Sequence, residues 1–415
     1  MRSPLISFLL RPCSTQPSIT PILDRASYFS SSSSPSSPPR FSPSTYLPLA
    51  RQKLLSQPST LIPDVLSPTP SHLLTLSLAD HCPSLFPANV PAAKTLPSTL
   101  ASPPQDLVLP QGHHLVYFPL QLPPSKLMAD GTDPGHCPGA PFVRRMWAGG
   151  EVVFHPGWER DMRVDGRRAA CVETVGEPVL KEGKREGEEK VFVEVRRSYG
   201  VGERGGNGEE TMGDEGIERK VVKVAGPVVE EVRRLVFMRE RDRREEMGVG
   251  GRVIKSSTTP EFAYPLKPDA TLLFHFSALT YNAHAIHLDP DYARNVEGYK
   301  ERLVHGPLTL VLMLSALRAS LAQLQSQTKP GTTAPPPPPL PPQGAETEDA
   351  LWMPYVKSLN YRNLAPLYVN EEMKICLRRT KAGPEEMKWD VWIEGPEGGL
   401  AVKGQAVTTG VSQAT

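Results

Sequence analysis

A chain of 415 residues exceeds what one hydrophobic core usually supports, so two domains are expected, and 46 prolines place part of the chain outside any compact core. A formal net charge of +1 gives no whole-chain field that would recruit nucleic acid or an anionic membrane surface. Five scattered cysteines with no Cys-x-x-Cys spacing support neither a disulfide framework nor a zinc site, and the apolar run Leu5–Leu10 is too short to span a bilayer.

Residues 1–60 read as a leader. Arg2, Arg11 and Arg25 precede or flank a first acid at Asp24, and a serine tract follows over 30–37. That is the composition of an organellar transit peptide, which predicts the mitochondrial matrix with the cleavage site open; an unaddressed disordered tail is the alternative, and Pro4 and Pro12 weaken an amphipathic helix. Ser71–Leu78 predicts a short helix and Leu109–Leu120 a strand opened by glycine. From Arg145 the segments MWAGGEVVFH, RAACVETVGEPVL and KVFVEVRRSYGV are apolar and β-branched between turn residues, the pattern of an antiparallel sheet. Residues 202–216 read as a flexible loop, 221–224 as a strand, and 228–239 as strand or short helix equally. The mixed charge run 239–246 is a solvated junction, which puts a boundary near 248–251 and divides the chain into 61–248 and 249–415.

The second part opens with Asp269–Thr280, where Leu272, Phe274 and Phe276 alternate with Leu273 and His275, predicting a buried strand. Gly306–Gln325 is long, apolar nearly all round and opened by Gly-Pro, predicting a central helix. The proline tract 332–342, within an insertion at 326–348, can neither join a ladder nor continue a helix; it reads as a solvated excursion, with an SH3 or WW ligand as the other reading. Four strands follow, with Met373, Ile375 and Leu377 on one face of the second and Trp389, Val391 and Ile393 on one face of the third. One strand, a buried helix and several antiparallel strands give the hotdog topology. The fold class is therefore α+β, a double hotdog in which antiparallel sheets each wrap a central helix and the N-terminal half is degenerate.

The segment FSALTYNAHAIHLDPDYARNVEGYKERLVHGPL, Phe276–Leu308, resembles the overhang and helix start of the MaoC-like hydratase/dehydratase family, closest to its fungal mitochondrial 3-hydroxyacyl-thioester dehydratases and their mesaconyl-CoA hydratase relatives. RRMWAGG at 144–150 and LAPLYVNEEMKI at 364–375 are similar to further landmarks of that group, so the resemblance spans roughly 109–408. The family motif is Asp-x-Asn-x-x-His. Its final residue falls on His287, which leaves Asn282 at the Asp position and His284 at the Asn position.

Dehydrating a 3-hydroxyacyl thioester requires a base at Cα, a proton donor at the β-hydroxyl and donors for the charge developing on the thioester oxygen. His287 suits the base because its ordinary pKa lies near working pH. Gly306 offers a backbone N–H at the positive end of the long helix. Asn282 would orient the hydroxyl or water, since an amide cannot deliver the acid's proton, and His284 is the substitute proton carrier. His305 stands at the helix entrance as an oxyanion or substrate contact, or merely as packing. Each residue also has a structural reading: a capped loop for His287, packing for His284, a turn cap for Asn282. Lys300 and Arg302 could meet a phosphate or lie on a solvated face.

The resemblance implies a 3-hydroxyacyl-thioester dehydratase of mitochondrial fatty acid synthesis, without metal or bound cofactor, whose partner is an acyl thioester on acyl carrier protein or CoA. An enoyl-CoA or mesaconyl-CoA hydratase is the variant, and a homodimer is allowed but not required. A hotdog protein that binds acyl groups without turnover is the rival class, and a thioesterase a third, although no carboxylate is placed on the helix to activate water.

Overall fold

In a computed structural model of the protein, residues 41–86, 108–185, 187–201, 227–240, 253–327, 354–383 and 385–410 are described, and from Pro43 onward they belong to one compact unit. The leader over 1–40, the loop 202–216, the strand expected at 221–224, most of the charge run, the 248–251 boundary and the proline tract lie outside the described residues.

Eleven antiparallel strands form one sheet: β1 (Thr60–Val65), β2 (Phe142–Phe154), β3 (Arg168–Val175), β4 (Val179–Lys181), β5 (Lys190–Val201), β6 (Val229–Arg239), β7 (Phe262–Leu266), β8 (Val356–Asn363), β9 (Met373–Ala382), β10 (Glu386–Glu394) and β11 (Leu400–Thr409). Their order is β1-β3-β5-β6-β2-β8-β11-β10-β9-β7, with β4 on β5. Read from the central β2–β8 pair outward, and with β4 set aside, each side repeats the same sequence of strands: the second, fifth, fourth, third and first of its half. This is the double hotdog, and the ambiguous segment 228–239 resolves as the strand β6. The alternation that predicted buried faces holds: Met373, Ile375 and Leu377, and Trp389, Val391 and Ile393, are all buried.

The helix Gly306–Gln327 fills the concavity. Its length and composition would allow it to cross a membrane, but nearly every face from Leu308 to Leu317 is buried inside the protein. All-round apolarity follows from its neighbours, because it packs against β8 and β9 of its own half and against β2 of the other.

Three local expectations are corrected. Asp269–Thr280 is a helix, Ala270–Leu279, with Asp269 as its N-cap, Oδ1 accepting from Leu272 N at 2.8 Å. The buried residues are Leu272, Leu273, Phe276 and Ser277, a helical period, while Phe274 is exposed. The strand of this half is instead β7, on the sheet edge where Pro265 is tolerated. Leu109–Leu120 is not a strand: Gly112 takes a left-handed φ of 96° and starts a single 3-10 turn, His113–Val116, buried against the central helix. Residues 43–55, assigned to the leader, form a helix that buries Ala50 and Leu54, and the strand β1 begins at Thr60, inside the same assignment. The short helix predicted at 71–78 is longer, Pro68–His81.

Candidate active site

The overhang between Leu279 and Gly306 is short, irregular and locally strained. Tyr281 holds a φ of 52°, and Asn282 then folds back so that its Oδ1 accepts the backbone N–H of His284 at 3.0 Å. One helical turn, Ala285–Leu288, carries His287. Asp289 closes the next turn by accepting from the backbone N–H groups of Asp291 and Tyr292, so it shapes the chain there.

His287 is buried, and its Nδ1–H donates to the Leu303 carbonyl at 2.8 Å. A carbonyl can only accept, so this bond fixes the tautomer and leaves the Nε2 lone pair free. Burial lowers the pKa of His287 to about 4, the Leu303 bond opposes that shift, and Arg145 reinforces it. The imidazole is therefore neutral at neutral pH. His284 packs edge-on against it, ring centroids 5.4 Å apart, and its pKa is also held well below the ordinary value by burial, then by His287 and Arg145.

Gly306 opens the central helix. A Cβ at this position would lie 2.6 Å from Trp147 Cβ and Cγ, so only glycine lets the helix terminus sit against β2. The AGG of the 144–150 segment has the matching role: β2 bulges between Trp147 and Gly149, where φ is 144°, and Cβ atoms at Gly149 and Gly150 would come within 2.3 Å of Tyr361 O and 2.4 Å of Val232 O. Trp147 is then pinned, its indole N–H donating to Tyr361 Oη at 2.8 Å and its carbonyl accepting from Asn363 Nδ2 at 2.8 Å.

Asn282, His284, His287 and Gly306 line one cleft, together with Gly131, Arg145 and Trp147 of the N-terminal half. His305 does not line it. It is fully buried behind His287, ring stacked on ring at 3.8 Å, with Nε2 2.8 Å from Ser277 Oγ; the packing reading describes its position, not the substrate contact. Lys300 and Arg302 are also elsewhere, paired with Glu371 and Glu301.

Sequence reasoning overlooked the N-terminal contribution. Arg145 lines the cleft with no ion pair or side-chain hydrogen bond among the described residues, and burial lowers its pKa. Asp130 and Gly131 sit on the overhang: the Asp130 carbonyl accepts from Ala285 N at 2.8 Å, and a Cβ on Gly131 would lie 2.0 Å from Ala283 O. The Asp-Gly pair at 130–131 and the 144–150 segment were visible signals, but nothing local ties either to residues some 140 positions later.

The family model "Hydroxyacyl-thioester dehydratase type 2" matches residues 112–329, more than half of the chain. A Chloroflexus aurantiacus protein named mesaconyl-C(4)-CoA hydratase is 31% identical over 238 residues, covering 55% of this chain and 71% of its own length. The Schizosaccharomyces pombe protein named mitochondrial hydroxyacyl-thioester dehydratase type 2 is 24% identical over 326 residues, 77% of this chain and 90% of its own. A solved structure titled MaoC-like dehydratase superposes with a TM-score of 0.51 at 10% identity, over 86% of this chain and 97% of that one, a likeness of fold.

Proposed function

Because the chain belongs to the hydroxyacyl-thioester dehydratase type 2 family, we propose that this enzyme interconverts 3-hydroxyacyl and 2-enoyl thioesters in the cleft, with His287 as base. The observation that carries this reading is the His287–Leu303 bond, which leaves a neutral imidazole with a free Nε2 in a cleft shared with the N-terminus of a 22-residue helix.

In the dehydration direction His287 Nε2 takes the Cα proton. The Cα–H electrons form the double bond as the Cβ–O bond breaks, and the hydroxyl leaves as water with a proton from His284. Charge on the thioester oxygen meets the Gly306 N–H, which has no acceptor of its own among the described residues, and the helix terminus adds its positive end. Asn282, whose Oδ1 is taken by the backbone, offers Nδ2 to the hydroxyl or to the incoming water of the reverse reaction. No step calls on a metal or bound cofactor.

The first reading of its substrate is a 3-hydroxyacyl group on acyl carrier protein, in mitochondrial fatty acid synthesis. The Arg-rich, acid-poor leader and the name of the fission yeast relative support it. Arg145 favours a second: an unpaired guanidinium in the cleft suits a CoA thioester bearing a further carboxylate, as a mesaconyl group does. The discriminating assay offers purified protein crotonyl-CoA, longer 2-enoyl-CoAs, mesaconyl-C(4)-CoA and the carrier-protein counterparts. Fastest turnover of longer carrier-bound enoyl groups supports the first, and of the carboxylated CoA ester the second. Acyl-CoA binding with no hydration of any of them overturns both in favour of a binding protein.

A further inference from the structure

The motif of the wider family carries a carboxylate where this chain has Asn282, and the overhang offers no replacement on the cleft. We propose that Asp130, from the N-terminal half, is the positioning residue that supplies that negative charge, acting on His284. Asp130 Oδ2 lies 3.6 Å from His284 Nε2, an ion-pair distance rather than a hydrogen bond. Both side chains are largely buried, so the charge is weakly screened. The other oxygen, Oδ1, accepts from Thr132 N at 2.9 Å and Thr132 Oγ1 at 2.7 Å, which locks the carboxylate with Oδ2 toward the histidine.

The backbone holds the pair in register. Asp130 accepts from Ala285 N one residue beyond His284, and Gly131 lies flush on Ala283, where no side chain would fit. Neither ring nitrogen of His284 makes a hydrogen bond among the described residues, so the imidazole is available to the cleft it lines. The groups facing it are Asp130 from the N-terminal loop, Arg145 from β2 and His287 from its own turn, with Tyr292 beside Asp130. Arg145 and His287 both disfavour the imidazolium; Asp130 is the carboxylate at ion-pair distance from it among the described residues. This counter-charge, placed on His284, supports the proton that His284 passes to the hydroxyl. The two halves are thus joined chemically as well as by the sheet.

This assignment rests on the dehydratase reading, and its test separates the two. Asp130→Asn keeps an oxygen for the Thr132 bonds and removes the charge. We expect kcat to fall on the order of 10²-fold with KM nearly unchanged, because Asp130 does not line the cleft. The alkaline limb of the dehydration profile, where His284 gives up its proton, should move to lower pH, since losing the anion lowers the pKa of His284. In a His284→Asn background, Asp130→Asn should cost nothing further. Unchanged kcat, an unmoved limb or multiplicative losses would overturn the assignment. Should Asp130→Asn not fold, Thr132→Ala unlocks the carboxylate and reads the same link through a smaller fall in kcat, with no fall again overturning it. If wild-type protein hydrates no enoyl thioester, the functional reading fails instead. The pair is then judged by NMR titration of His284 in the resting protein: a downward shift in Asp130→Asn sustains it, and no shift refutes it.

Discussion

The two halves share a strand order but fill it differently. In the C-terminal half the concave face of the sheet holds a 22-residue apolar helix and three stacked or edge-packed histidines. In the N-terminal half the chain entering at Gly112 makes only one 3-10 turn. Charged groups are buried there instead: Arg197 Nε donates to Glu173 at 2.6 Å, His136 Nε2 lies 2.8 Å from the same carboxylate, and Glu231 accepts from Tyr199 and Arg233. Each of these carboxylates is matched to a cation, as burial demands, and Arg197 already satisfies the Glu173 end of the Asp133–His136–Glu173 cluster. The difference teaches that loss of the second helix need not lose the architecture. The remaining helix serves both halves, and the N-terminal half is free to lend Asp130, Arg145 and Trp147 to its partner's site.

The largest expected effect tests whether chemistry stays in the C-terminal half. His287→Ala should lower kcat by about 10²–10⁴-fold with the fold intact by circular dichroism and melting. Near-normal turnover in a folded variant would remove the base from this half. Next, the two glycines that begin equivalent segments should respond differently. Gly306→Ala forces Trp147 aside and displaces the N–H proposed as oxyanion donor, so kcat should drop by about 10²-fold. Gly112→Ala places a side chain at a φ of 96°, costing about 1–2 kcal/mol in urea unfolding while leaving kcat unchanged. Equal loss of activity in both would show that the N-terminal turn is part of the site. The smallest effect is expected from Asn282→Asp, because a carboxylate can accept the same His284 N–H; the variant should retain measurable kcat and add an ionisation to its pH profile.

How much of this was legible depended on range. The C-terminal strands declared themselves because Trp389, Val391 and Ile393 alternate toward one buried face, and the central helix because its apolarity has no polar side. Phe276 was misplaced on a strand because a ten-residue apolar run satisfies both periods, and the deciding feature, the Asp269 cap, is one residue outside it. His287, His284, Asn282 and Gly306, which line one cleft, were legible as candidates because they lie within one short stretch around a helix start. Asp130 and Arg145 were not, because their meaning comes from β2 pairing with β8 across the centre of the sheet and from a loop that closes on the overhang.

The central claim, that a neutral buried His287 is the base, is tested most directly by the pH dependence of kcat/KM for dehydration of a 3-hydroxyacyl thioester. Burial depresses the folded-state pKa, so the base is competent throughout the neutral range and is lost only as pH falls through about 4. The rate should hold across the neutral range and turn down near pH 4, and His287→Ala should abolish that downturn. A downturn near the ordinary histidine pKa of about 6.5, or one that persists in His287→Ala, would contradict the assignment.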